Sequence, residues 1–210
     1  MREILNNLKE VKILKILIET SARHAHLSEK DFHVLFGEHA KLTKKKELSQ
    51  PGQFACEEKI TLKGSKSDIS NITILGPFRA QTQIEISLTD AKRLGLVVPI
   101  RDSGDLVGTP ENTLIGPKGK VVLKNGLIVA RRHIHLDPAT ATNFNLNHGQ
   151  IVQVKIPSEK RALIFDSVRV CVDKNFLPAM HIDTDEANAA GLQVETYAEI
   201  IRPLSKKQTE

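Results

Sequence analysis

Apolar positions in this chain come in short runs, each about four to eight residues long and ended by glycine, proline, asparagine or charge. The runs predict strands at 13–20, 59–62, 72–75, 83–87 and 97–100. A second series follows at 121–123, 127–130, 151–156, 162–165, 168–172 and 179–182. Gly76-Pro77 and Gly116-Pro117 punctuate the first half. Lys124-Asn125-Gly126 separates two runs and predicts a hairpin, because Asn-Gly tolerates positive φ. Helical spacing is confined to brief stretches. Ile4, Leu5, Leu8 and Val11 share one face of a predicted amphipathic helix over 1–12, suited to packing on its own domain or on a partner subunit. Ser28 offers an N-cap to a short helix ending near 36. Many short strands with few helices predict a mainly β fold of small barrels with short capping helices, not a parallel α/β sheet.

Within that pattern one pentad occurs twice, as Arg23-His24-Ala25-His26-Leu27 and Arg132-His133-Ile134-His135-Leu136. Eight histidines in 210 residues would give about 0.3 His-x-His triplets by chance, so two with matching flanks indicate duplication. A second echo supports it. The segments 85–96 and 181–192 superpose at a constant offset of 96, with Ile, Ala, Gly and Leu coinciding. Each reads as a strand end, a cap, a short helix and a glycine stop. The pentads are offset by 109, so the first half carries a 13-residue insertion, placed in the region 41–53.

The duplication has a chemical consequence. Residues i and i+2 of a strand point to the same face, so both imidazoles of each pair can converge on one cation. In the overlay Glu85 falls on His181. Two trios follow: His24, His26 and Glu85, and His133, His135 and His181. Three protein ligands with an open position describe a catalytic zinc site, whereas four describe a structural one. A single histidine more often caps a strand or donates to a carbonyl. Six residues related by duplication favour metal. Arg79, six residues before Glu85, is a candidate phosphate fork. His33, His39 and His148 have no partner in sequence, and Ser103-Gly104-Asp105 reads as a turn.

Composition narrows the field. Lys and Arg exceed Asp and Glu by 30 to 25, which favours an anionic partner. Cys56 and Cys171 lack C-x-x-C spacing and read as reduced thiols of a cytoplasmic protein. No segment has the roughly 18 apolar residues of a membrane span, and neither a P-loop nor a Rossmann fingerprint is present.

Several motifs together resemble the PduL-type phosphate propanoyltransferases. They are Ser21-Ala22-Arg23-His24-Ala25-His26-Leu27-Ser28, the run Leu48 to Ala55, and Leu75-Gly76-Pro77-Phe78-Arg79. Thr82 to Ser87, Arg101 to Asp105 and Met180 to Ala190 add to them, and the likeness spans about 13–202. The resemblance implies two six-stranded barrels that interleave. One comprises 13–22 plus 131–202, the N-terminal strand joining the C-terminal half. The other is built from 23–130, and the helix 1–12 stands apart. It also implies two zinc ions on the six ligands above (other divalent transition metals suit the same ligands), phosphate on Arg79 as the catalytic residue, and coenzyme A near Glu19, Thr20, Ser21, Lys66 and Asn188, close to a dimer interface. Thr73 stands where the family commonly has an arginine, so one coenzyme A phosphate contact is expected to be lost or replaced.

The expected activity is transfer of a short acyl group, propanoyl or acetyl, between coenzyme A and phosphate by metal-assisted direct attack. Expected partners are acyl-CoA, inorganic phosphate and a second copy of the chain in a homodimer, with no nucleic acid or membrane. The cytoplasm is the expected location, with enclosure in a bacterial microcompartment left open. Two alternatives stand beside this reading. One is a dizinc thioester or phosphoester hydrolase, marked by free acid formed without phosphate. The other is a zinc-stabilised nucleic-acid-binding protein, marked by salt-sensitive binding.

Overall fold

The computed structural model describes residues 14–192 and 195–203; the predicted helix over 1–12 lies outside them. The first strand, β1 (Lys15–Ser21), leads into β2 (His24–His26), α1 (Glu29–Phe36), β3 (Lys44–Glu47), β4 (Phe54–Lys63), β5 (Ile69–Gly76) and β6 (Gln83–Glu85). Next come α2 (Leu88–Leu94), β7 (Ile100–Arg101), β8 (Asn112–Ile115), β9 (Lys120–Leu123) and β10 (Leu127–Ala130). The C-terminal half holds β11 (His133–Leu136), α3 (Pro138–Asn143), β12 (Ile151–Ile156), β13 (Leu163–Val172), β14 (Ala179–Asp183), α4 (Thr184–Ala190) and β15 (Thr196–Pro203). The fold is mainly β with short helices.

Six strands close into a barrel in the order β1-β14-β11-β13-β12-β15. Its core is aliphatic, with Ile16, Ile134, Val152, Val170 and Met180 nearly inaccessible to water. The remaining strands form a nine-stranded sheet, β7-β10-β6-β2-β5-β4-β8-β9, with β3 paired to β4. It curls around a second core that includes Phe32, Leu62, Ile74 and Ile84. This sheet is open and larger than the six-stranded barrel implied for it. The extra strands come from the β8–β9 hairpin and from β3, which lies inside the 41–53 insertion.

The two halves trade strands. β1 precedes the first histidine pair but pairs in parallel with β14 of the C-terminal half. β10 precedes the second pair but lies parallel to β6 of the N-terminal half. The chain therefore crosses between cores immediately before each pentad.

That exchange overrides the Asn-Gly hairpin. β9 pairs with β8, and β10 lies between β6 and β7. The reason is burial. Leu127, Ile128 and Val129 are all buried, whereas β9 alternates between exposed and half-buried positions. A strand apolar on both faces gains most between two neighbours, and Gly126 (φ +131°) turns the chain toward that slot instead of back along β9.

The helices follow their local signals. Ser28 Oγ accepts the Asp31 backbone N–H, and Ser87 Oγ accepts that of Asp90. Asp183 and Glu186 form a reciprocal capping box on α4. Gly95 and Gly191, 96 residues apart, end α2 and α4 in the left-handed region, at φ +73° and +66°. Among the described residues no helix is long and apolar enough to cross a membrane.

Candidate active site

The duplication seen in sequence becomes a duplication of ladder register. In the β2–β6 antiparallel pair His24 stands opposite Glu85; in the β11–β14 pair His133 stands opposite His181. Each His-x-His pair shows one face, with ring centroids 5.0 Å apart for His24 and His26 and 4.7 Å for His133 and His135. The third residue reaches the same spot from the neighbouring strand. Within each trio the potential ligand atoms all lie within 4.8 Å of one another.

The imidazoles are oriented by hydrogen bonds and burial. His24 Nδ1 lies 2.8 Å from the Ala22 carbonyl oxygen, and His133 Nδ1 lies 2.8 Å from that of Arg131. A carbonyl only accepts, so Nδ1 carries the proton and Nε2 presents a lone pair. His135 Nδ1 and His181 Nε2 are buried without a hydrogen-bond partner. A buried, unpaired nitrogen is costly unless something electrophilic meets it. Burial, reinforced by His24 and Arg79, pushes His26 down to about 2. Burial beside His133 takes His135 to about 3, and burial among its histidine neighbours holds His181 well below the usual range. All three remain neutral, as metal ligation requires. Two packing contacts orient the second trio further. The Phe176 ring stacks on His135 at 3.8 Å, and Glu19 Oε2 lies 3.5 Å from His181 Nδ1.

Both trios open on one cavity of about 980 Å³ between the two cores. Arg79 lines it from the segment after β5. Its backbone N–H donates to the Leu27 carbonyl, and the adjacent Phe78 packs on Phe32. Burial lowers the Arg79 pKa while the Glu85 carboxylate draws it back up, which leaves a partly desolvated cation beside the first trio. Such a guanidinium is suited to a divalent oxyanion.

Of the residues matched to coenzyme A, Glu19, Thr20 and Ser21 line the cavity. Lys66 and Asn188 do not; both are exposed, away from its lining. Lys46 is the lysine that does line it, and Thr73 and Leu75 lie on the lining as well. Residues that sequence spacing left aside also converge here. His148, a surface residue by spacing, accepts the Val172 N–H at Nδ1 on the cavity wall. Ser103, read as a turn, accepts a hydrogen bond from Arg79 at 3.2 Å. Asp102 bridges Arg169 at 3.0 Å and Arg131 at 3.5 Å, tying the open sheet to the barrel. These contacts span tens of residues, so no local signal encodes them. Burial raises the thiols of Cys56, to about 11, and Cys171, leaving both protonated and poorly nucleophilic.

Comparison with known proteins gives a consistent result. The family model described as phosphate propanoyltransferase matches residues 17–193. The chain is 47% identical over 208 residues to a phosphate propanoyltransferase of Clostridioides difficile, covering 96% of this chain and 99% of that protein. It is 48% identical to one of Thermotoga maritima, covering 89% of each, and 44% identical to one of Salmonella typhimurium, covering 93% of each.

Proposed function

The chain belongs to the phosphate propanoyltransferase family, and on that premise we propose that this cavity moves a short acyl group between coenzyme A and inorganic phosphate while the two trios hold divalent transition ions, zinc foremost. The observation that carries the metal reading is the pair of orphaned buried nitrogens on His135 and His181. An ion in either trio supplies Lewis-acid charge for a developing oxyanion.

The residues of the chain do the rest. Arg79 receives the phosphate, with two N–H groups available to two of its oxygens. Its place beside Glu85 sets the nucleophile at the first trio. A phosphate oxygen attacks the thioester carbon, the carbon–sulfur bond breaks, and the phosphate proton leaves with the thiol, so hydrogen phosphate and acyl-CoA give acyl phosphate and CoA. Neither thiol is needed as an acyl carrier. Holding two anions together in one cavity supplies much of the acceleration.

Coenzyme A is assigned to the wall formed by Glu19, Thr20 and Ser21, with Lys46 as the cation for its phosphates, since Lys66 and Asn188 stand outside the cavity. The chain preference between propanoyl and acetyl is part of the test. The cytoplasm suits the two free thiols, and a homodimer suits the exposed Val97 and Val107, which flank edge strand β7 in sequence; light scattering reads the latter. The deciding experiment is thiol release from propanoyl-CoA and acetyl-CoA, with and without phosphate, before and after chelation. Release that needs both phosphate and metal, with acyl phosphate as product, supports the reading. Free acid formed without phosphate overturns it in favour of hydrolysis.

A further inference from the structure

Gln83 lies two residues from Glu85 on β6, outside both trios and only 1% exposed. Its side-chain amide has one permitted orientation. Oε1 accepts the Gly104 backbone N–H at 2.7 Å, which an NH2 group could not do. Nε2 therefore faces the site, where it donates to Glu85 Oε1 at 2.5 Å and to Ser103 Oγ at 2.8 Å. Its two protons meet two acceptors.

This arrangement fixes two further groups. Glu85 Oε1 is occupied by Gln83 and by Ser103 at 3.3 Å, while Oε2 is turned toward His24 Nε2, 3.5 Å away. The carboxylate thus offers one chosen oxygen to its trio. Ser103 Oγ accepts from Gln83 and from Arg79 Nη1, so both lone pairs are used and its proton must point outward to an acceptor. The acceptor present is Glu85 Oε1, over a long contact that a phosphate on Arg79 would compete for readily.

We infer that Gln83 is a positioning residue that couples the phosphate clamp to the first trio, selecting the ligating oxygen of Glu85 and aiming the Ser103 hydroxyl at bound phosphate. Gly104 belongs to the device, since its φ of +94° delivers the N–H that locks the amide. The inference rests on the reading of His24, His26 and Glu85 as a metal site.

The test uses the full chain and two variants. In Gln83→Glu a carboxylate replaces the two donors at nearly the same volume and faces Glu85 with like charge. Competition of Zn2+ against a chromophoric chelator should show one of two ions bound about 10–100-fold more weakly and the other unchanged. The visible spectrum of the Co2+-loaded protein should change, and KM for phosphate should rise. Ser103→Ala, at an exposed position, should raise KM for phosphate several-fold with both ion affinities native. Wild-type ion affinities and a wild-type Co2+ spectrum in folded Gln83→Glu would overturn the inference. So would an unchanged phosphate KM in Ser103→Ala, which decides the matter should Gln83→Glu misfold. A wild-type protein that binds no ion at either trio fails earlier, on the metal reading itself.

Discussion

Arg23 Nε lies 3.0 Å from Asp90 Oδ2, and 96 residues on from Asp90 its counterpart Glu186 receives Arg132 Nη1 at 2.6 Å. The duplication therefore extends beyond the trios to the arginine that opens each pentad and the helix that follows Glu85 or His181. In both halves the ion pair ties the strand of the histidines to the helix after Glu85 or His181. It braces the strand that carries each histidine pair.

That bracing makes a stability prediction. The Asp90 side chain is only 7% exposed, so Arg23→Ala strands a buried carboxylate. The expected loss is about 1–3 kcal/mol in urea denaturation. Adding Asp90→Ala should recover part of it, because the stranded charge is then gone.

Arg79 should govern phosphate and little else. Arg79→Ala is expected to raise KM for phosphate at least about tenfold and to lower turnover, with KM for acyl-CoA little changed. Arg79→Lys should recover only part, since an ammonium lacks the planar fork. Steady-state thiol release at varied phosphate reads both.

Removing a third ligand should cost one ion, not two. Glu85→Ala and His181→Ala each take away one member of one trio. Elemental analysis of each purified variant should give about half the metal of the wild type, with activity lost in both. Full metal content in either variant would contradict the assignment of that residue.

The neutral histidines set a pH dependence. His26, His135 and His181 are all depressed below the ordinary 6.5 in the folded chain. Below that value the unfolded state binds protons that the native state refuses, so stability falls as pH falls. Chelated protein should lose melting temperature steadily from pH 7 to pH 5. Metal-loaded protein should melt higher at every pH but fall at least as steeply, because the ions keep the native histidines unprotonated while the unfolded chain still takes up protons. Thermal melts across that range, with and without chelator, test the sign.

Gln50 should matter although it touches neither trio. Buried, it donates from Nε2 to the Leu177 carbonyl at 3.1 Å, and its Oε1 accepts the Leu177 N–H at 3.2 Å. This amide joins the β3–β4 turn to the β13–β14 loop that presses Phe176 on His135. Gln50→Ala should destabilise the chain by about 1–3 kcal/mol and weaken ion binding at the His133 trio, as read by chelator competition.

Local spacing carried a definite part of this fold and its site. The strand period set two histidines on one face, the offset of 96 matched Glu85 with His181, and Ser28, Gly95 and Gly191 bounded helices where capping chemistry put them. The ladder then placed those residues opposite one another, with His24 facing Glu85 and His133 facing His181. Tertiary structure decided the rest. It carried β10 past the Asn-Gly turn into the centre of a sheet, left the larger sheet open, and moved Lys66 and Asn188 away from the cavity while bringing in Lys46, His148 and Ser103. The physical reason is separation. A cap or an i, i+2 pair lies within a few residues, whereas Gln50 meets Leu177 across 127, and such a meeting depends on which apolar faces the whole chain can bury together.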